Sequence, residues 1–312
     1  MRIFLRIFRE NFVIFVLLAL LVLFSIVYPQ KFWSPVNISA IFRQFLRLSL
    51  FALGPTMVVT MGSMDLTYVG IWMLGGVLTW YLHPKLGSLA ILVYPLLGLA
   101  TGLLTGLVQV KAKIPSFILT LSVTVSYWGL TAWLSGGYPR MVRGYRFITT
   151  SLSPYVPMAL VLAIPIMASA IFIMKGTKVG TYLYAIGSNE EGAELSGIDT
   201  RKYKILAFTL SGLFTGVGLI ILFPLLGGAA PTELRLGNLV EPLIAIVLGG
   251  TPLVGGSGGP EKTLLGAFTF AVIQRGLGLA FLKPELVNLL LGLIVLGAIF
   301  VGTRKLKGMI VT

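Results

Sequence analysis

Ile205-Leu206-Ala207-Phe208-Thr209-Leu210-Ser211-Gly212-Leu213-Phe214-Thr215-Gly216-Val217-Gly218-Leu219-Ile220-Ile221-Leu222-Phe223-Pro224-Leu225-Leu226-Gly227 runs for 23 positions without a charge. A helix of that length rises about 35 Å, and the hydrocarbon core of a bilayer is about 30 Å thick. The run has no polar face of the kind that lets a helix lie against water. Ser211, Gly212, Thr215, Gly216 and Gly218 make a face of small residues, where another backbone can approach closely.

Working outward, nine further segments have the same character: approximately 11–28, 44–62, 66–82, 87–109, 117–134, 157–174, 239–250, 263–282 and 286–302. The whole chain of 312 residues is 56% hydrophobic and 11% charged, where a soluble domain carries about 25% charged residues. We read an all-α membrane protein, a polytopic bundle of about 10 transmembrane helices in a single domain, 1–312. Residues 1–28 have a basic start but no small-residue cleavage site, so they are read as a retained first span. Segment 239–250 is too short to cross as a simple helix and predicts a broken or re-entrant span. Gly98, Gly102 and Gly106 recur at i, i+4, i+8 and predict close packing within the bundle.

The absence of cysteine excludes disulfides, zinc–thiolate sites and thiol catalysis. His83 is the single histidine, beside Pro84, so no metal cluster is expected. The net charge is +14, but the basic residues sit mostly at segment ends, where they meet lipid headgroups and set orientation. Membrane lipid is the expected partner, and nucleic acid is not. With both termini cytoplasmic, fourteen of the 24 Lys and Arg fall inside, nine fall outside and Arg275 lies within a span. Arg140, Arg143 and Arg146 run against this arrangement.

The exception to the apolar pattern is a polar loop at about 176–204, which holds four of the ten acidic residues. Ser188-x-x-Glu191 fits a capping box, either Ser188 or Asn189 can cap, and Ser196-Gly197 supplies a stop. The spacing predicts a short surface helix whose Glu190 and Glu194 share a negative face. A helix so short needs something to pack on, and docking into a groove on a soluble partner fits it.

At this loop Tyr184-Ala185-Ile186-Gly187-Ser188-Asn189-Glu190-Glu191-Gly192-Ala193-Glu194-Leu195-Ser196-Gly197-Ile198 resembles the coupling loop of ribose-type permeases of bacterial ABC importers. Lys113-Ile114-Pro115-Ser116-Phe117-Ile118-Leu119-Thr120-Leu121 with Ser135-Gly136-Gly137 is similar to a second family stretch. Ala245-Ile246-Val247-Leu248-Gly249-Gly250-Thr251-Pro252-Leu253-Val254-Gly255-Gly256-Ser257-Gly258-Gly259 is similar to a third. The chain departs from the family at Gly62-Ser63-Met64-Asp65-Leu66-Thr67, where a second glycine is usual.

The resemblance implies a permease subunit in a bacterial cytoplasmic (inner) membrane. It implies cytosolic ATPase subunits that carry ATP and Mg and seat on residues 187–198, and an extracytoplasmic solute-binding protein. It also implies a second permease copy or a sister chain. No cofactor is expected on this chain. Gly256-Ser257-Gly258-Gly259-Pro260-Glu261-Lys262-Thr263 nearly spells a phosphate-binding loop, but Glu261 would repel phosphate and Pro260 lacks a donor.

Polar and aromatic residues within spans are pathway candidates: Gln44, Trp72, Tyr127, Trp128, Gln274 and Asn288, with Gln109 and Arg275 beside them. Rings could stack on a sugar, and amides could meet its hydroxyls. The alternative reading is an ion-coupled secondary transporter, which needs intramembrane carboxylates. The spans are nearly free of acid, with Asp65 and Glu241 near segment ends. No catalytic set is visible, so the chain is not read as an enzyme.

Overall fold

The computed structural model describes residues 12–142 and 144–280, together with 286, 289, 290, 292 and 293. Asn288, Arg143 and most of the tenth segment lie outside the described residues. The principal helices are α1 (Phe12–Val27), α2 (Pro35–Thr60), α3 (Thr67–Leu86), α4 (Val93–Ala112), α5 (Ser116–Ser135), α6 (Met158–Gly176), α7 (Lys178–Ser188), α8 (Glu190–Leu195), α9 (Thr200–Leu226), α10 (Leu236–Gly249) and α11 (Pro260–Gly278). Strand pairing among the described residues is limited to two isolated bridges, Arg140 with Ala229 and Ser151 with Pro157.

Among the described residues, five stretches are long and apolar enough to cross a membrane: α2, α3 with α4, α5, α6 and α9. Between α3 and α4 the chain turns at Gly87, whose φ is +55°, and a 3-10 turn over Gly87–Leu92 follows. Tyr94, at the start of α4, then donates to the Trp72 carbonyl on α3 (3.1 Å). This folding back makes two passes of one apolar run. Helix α2 begins nine residues before the expected 44: Ser34 caps it by accepting from the Asn37 amide, and Pro35 at its first position carries the φ a helix needs. α10 has 14 residues, about 21 Å at helical rise, and is shorter than a bilayer core of about 30 Å.

The two small-residue faces seen in the sequence pack on each other. A Cβ at Gly98 would stand 2.1 Å from the Gly212 carbonyl oxygen, and one at Gly102 would stand 2.1 Å from that of Phe208. Gly216 likewise faces the Tyr94 carbonyl. Helices α4 and α9 therefore touch backbone to backbone, and the stripe is an internal seam.

The loops gather at two ends. At one end Thr60 accepts from the Gly256 amide (2.9 Å), Met64 donates its amide to Ser116 Oγ (2.9 Å), and Lys175 pairs with Glu261 (3.0 Å). At the other end Arg140 exchanges two backbone bonds with Ala229 (2.9 and 3.1 Å), and Tyr145 donates to the Ser88 carbonyl (3.3 Å). Arg140 also donates to the Ser135 carbonyl (2.7 Å) and lies 4.2 Å over the Trp80 ring. That arginine is a brace for its loop.

Candidate functional site

The polar loop forms two helices, because an extended residue at Asn189 divides α7 from α8. Asn189 is the cap: its Oδ1 accepts from the Gly192 amide (3.0 Å). Ser188 ends α7 instead, donating to the Tyr184 carbonyl (2.9 Å), so the Ser188–Glu191 capping box does not form. α8 stops as expected. Gly197, at φ +83°, donates to the Glu194 carbonyl (2.9 Å) while the Ile198 amide reaches that of Ala193 (3.1 Å), the paired bonds of a Schellman turn.

The expected negative face is partly spent on the chain itself. Glu190 pairs with Lys204 (2.5 Å), and Glu194 accepts from Thr200 (2.5 Å). Both bonds stitch α8 to the start of α9. Ala193 is buried. What points outward is Leu195, 85% exposed, together with Glu191.

Beneath α7 the glycine motifs converge. A Cβ at Gly187 would lie 2.0 Å from the Thr60 carbonyl oxygen and 2.5 Å from the Gly256 amide nitrogen. One at Gly255 would lie 2.5 Å from the Gly62 amide nitrogen. Tyr184 donates to the Gly258 carbonyl (2.8 Å), and Thr251 Oγ1 accepts from the Gly259 amide (3.0 Å). Burial and the nearby Glu261 charge push the Tyr184 phenol up to about 12, so it stays a donor at neutral pH. The phosphate-loop look-alike is thus packed by Tyr184 and by the Lys175–Glu261 pair.

The pathway candidates separate. Gln44 and Gln274 meet, with Arg43, Arg47 and Arg275, around a cavity of about 460 Å³ between α2, α9 and α11. Arg47 pairs with Glu241 and donates to Asn238 (3.0 Å), while Gln274 reaches the other Glu241 oxygen (3.4 Å). Tyr127 lines a second cavity of about 300 Å³ between α4 and α5 and shares a bond with Thr101 (2.8 Å). Trp72 lines neither of these cavities: it is 3% exposed, rests on Phe51 and donates to the Gly228 carbonyl (3.2 Å). Trp128 is 41% exposed on the outer side of α5. Gln109 keeps a buried carbonyl oxygen without a partner.

Residues 37–299 match the family described as branched-chain amino acid transport system / permease component. The chain is 30% identical over 308 residues to a ribose import permease of Haemophilus influenzae, with 93% of each chain covered. It is 26% identical to a xylose/arabinose import permease of Sulfolobus acidocaldarius (91% of this chain, 82% of the relative). It is 29% identical to an autoinducer 2 import permease of Yersinia enterocolitica (93% and 81%). The chain belongs to this permease family. It is a multi-pass membrane permease subunit of the ribose type and not an enzyme.

Within this permease, Asp65 acquires a physical role. It is 1% exposed. One oxygen accepts from the Thr67 amide (2.8 Å) and hydroxyl (2.7 Å), and the other accepts from Ser211 (2.6 Å). The carboxylate starts α3 and ties it to the middle of α9. Sequence reasoning missed this junction, along with the Arg47–Glu241–Asn238 cluster. Asp65 two residues before a helix-starting threonine was the available signal for the first. The second joins residues 191 and 194 positions apart, and no local pattern announces such a pairing.

Proposed function

We propose that this permease is the membrane-spanning subunit of a binding-protein-dependent ABC importer of sugar-like solutes in a bacterial inner membrane. Separate cytosolic ATPase subunits would supply ATP and Mg, and a second copy or sister permease would complete the translocation path. The observation that carries the ATPase reading is α8: a capped, six-residue helix fixed to α9 on one side, with Leu195 exposed on the other. A lone leucine standing out between polar residues suits a groove on a soluble partner. The names of the relatives favour a sugar or sugar-derived solute, while the family description mentions amino acids. Gln44 and Gln274 are the preferred pathway residues because they face open volume, and Tyr127 follows.

Ion-coupled transport is disfavoured by the carboxylates. The oxygens of Asp65 are occupied by three donors, and Glu241 is paired with Arg47. Neither is a free proton carrier of the kind that such transporters use.

The decisive experiment replaces Leu195→Asp together with Glu191→Lys. Glu190 and Glu194 hold α8 to α9, and replacing these two outward residues leaves both of those bonds in place. Co-purification of the ATPase from membranes should fall at least tenfold, with insertion and monodispersity intact. Unchanged co-purification removes the docking role. Uptake that survives ATP depletion but collapses with a proton uncoupler removes the ABC reading itself.

A further inference from the structure

Three arginines that the orientation leaves unexplained, Arg43, Arg47 and Arg275, come together in the cavity between α2, α9 and α11. Arg43 and Arg47 lie within α2 and Arg275 within α11, in helices where charge is costly. Among the described residues, Arg47 has its acid, Glu241, whereas Arg43 and Arg275 have none. Three guanidinium groups against one carboxylate leave two positive charges uncompensated around the cavity. The polar groups repeat the pattern. Gln44 Nε2 and Arg275 Nε are buried nitrogens without an acceptor, and both are donors. Buried donors left unmet carry a desolvation cost that an acceptor relieves, and Arg43 stands exposed beside them. The remaining wall is apolar, formed by Leu222, Leu225 and Leu226.

We infer that this cavity is a binding site for an oxyanion: a phosphate or carboxylate group carried on a lipid headgroup or on a small solute. The planar forks of Arg43 and Arg275 match the oxygen pairs of such a group. The Gln44 amide adds a donor, and the leucines accept the adjoining hydrocarbon. Arg47 is fixed by Glu241 and Asn238 and positions the cavity edge. This is the cavity that Gln44 and Gln274 line, so an oxyanion held there competes with their place in a sugar pathway, and the test does not depend on ATPase docking.

The test uses the full permease purified in detergent. Binding of inorganic phosphate is read by thermal shift. Retention of lipid is read by native mass spectrometry after exposure to phosphatidylglycerol vesicles, with phosphatidylcholine vesicles as the neutral control. Wild type should bind at least one of the two anionic probes, and Arg43→Gln with Arg275→Gln should weaken that binding at least tenfold. Phosphate binding that phosphatidylglycerol leaves unchanged assigns a free solute, while phosphatidylglycerol that phosphate does not displace assigns a lipid. Arg43 is exposed, so Arg43→Gln alone gives a folded variant, and a several-fold loss is expected from it. Absence of binding to either probe by wild type overturns the inference, as does equal binding by the variants.

Discussion

At one end of α2 the Thr60 carbonyl lies against Gly187 and accepts from Gly256, so backbone meets backbone. Toward the other end of the same helix, Arg47 meets Glu241, Asn238 and Gln44 through long side chains around open volume. The first junction has no room for an added atom. The second has spare donors and a cavity. Backbone contacts without slack pass a displacement on, whereas long side chains can re-pair while their helices stay still. The difference separates the end suited to receiving a push from the end suited to holding a ligand.

The largest test of that contrast is Gly187→Val. Its branches would enter the space of the Thr60 carbonyl and the Gly256 amide, and overpacking of this kind costs roughly 1–3 kcal/mol. The thermal midpoint of the detergent-solubilised permease should fall clearly; an unchanged midpoint would show that the junction yields. Next is Asp65→Ala, which strands the donors of Ser211 and Thr67 in a buried site at about 1–3 kcal/mol. Loss of protease resistance around α3 should accompany it.

Tyr184→Phe removes one bond to Gly258, worth about 1 kcal/mol. Its signature is pH dependence. The phenol ionises at an ordinary 10.0 when unfolded and is held up to about 12 in the fold, so its contribution is complete below pH 10 and is lost as pH rises toward 12. Alkaline stability curves of wild type and variant should converge across that window. The smallest effect is Gly129→Ala: a Cβ there meets nothing within 4 Å, and the midpoint should move by less than about 0.5 kcal/mol. Equal losses at Gly129 and Gly187 would erase the contrast.

Much of this was legible before the structure. Long uncharged runs name lipid as the solvent, and nine of the ten expected segments overlap described helices, the shortness of α10 included. The polar loop and its glycine stop are local signals, and the structure shows both. Partnerships across the chain were not legible. Trp72 reads as a ring free to stack, yet Phe51 and the Gly228 carbonyl enclose it. Glu190 and Glu194 read as a free face, yet Lys204 and Thr200 hold them. The glycines of 255–259 only resemble a loop for phosphate, and nothing local announces their use, which is to let α7 and the end of α2 come within contact. Periodicity reports which face is apolar; it does not report which neighbour fills it.

The short α10 has one more consequence. A helix of about 21 Å leaves the chain from Gly250 to Gly259 to continue without regular structure at the end of the bundle where α7 meets the end of α2. Part of its backbone is bonded from within: Gly250 and Thr251 donate back to α10, Gly255 to Pro252, Gly256 to Thr60 and Gly259 to Thr251. The segment is therefore wired on its inner side, where Gly255 and Gly259 are buried, and open at Val254, which is 65% exposed. Displacing α7 would strain the Tyr184–Gly258 bond and the contact of Gly187 with Thr60 together, so the two act as one joint.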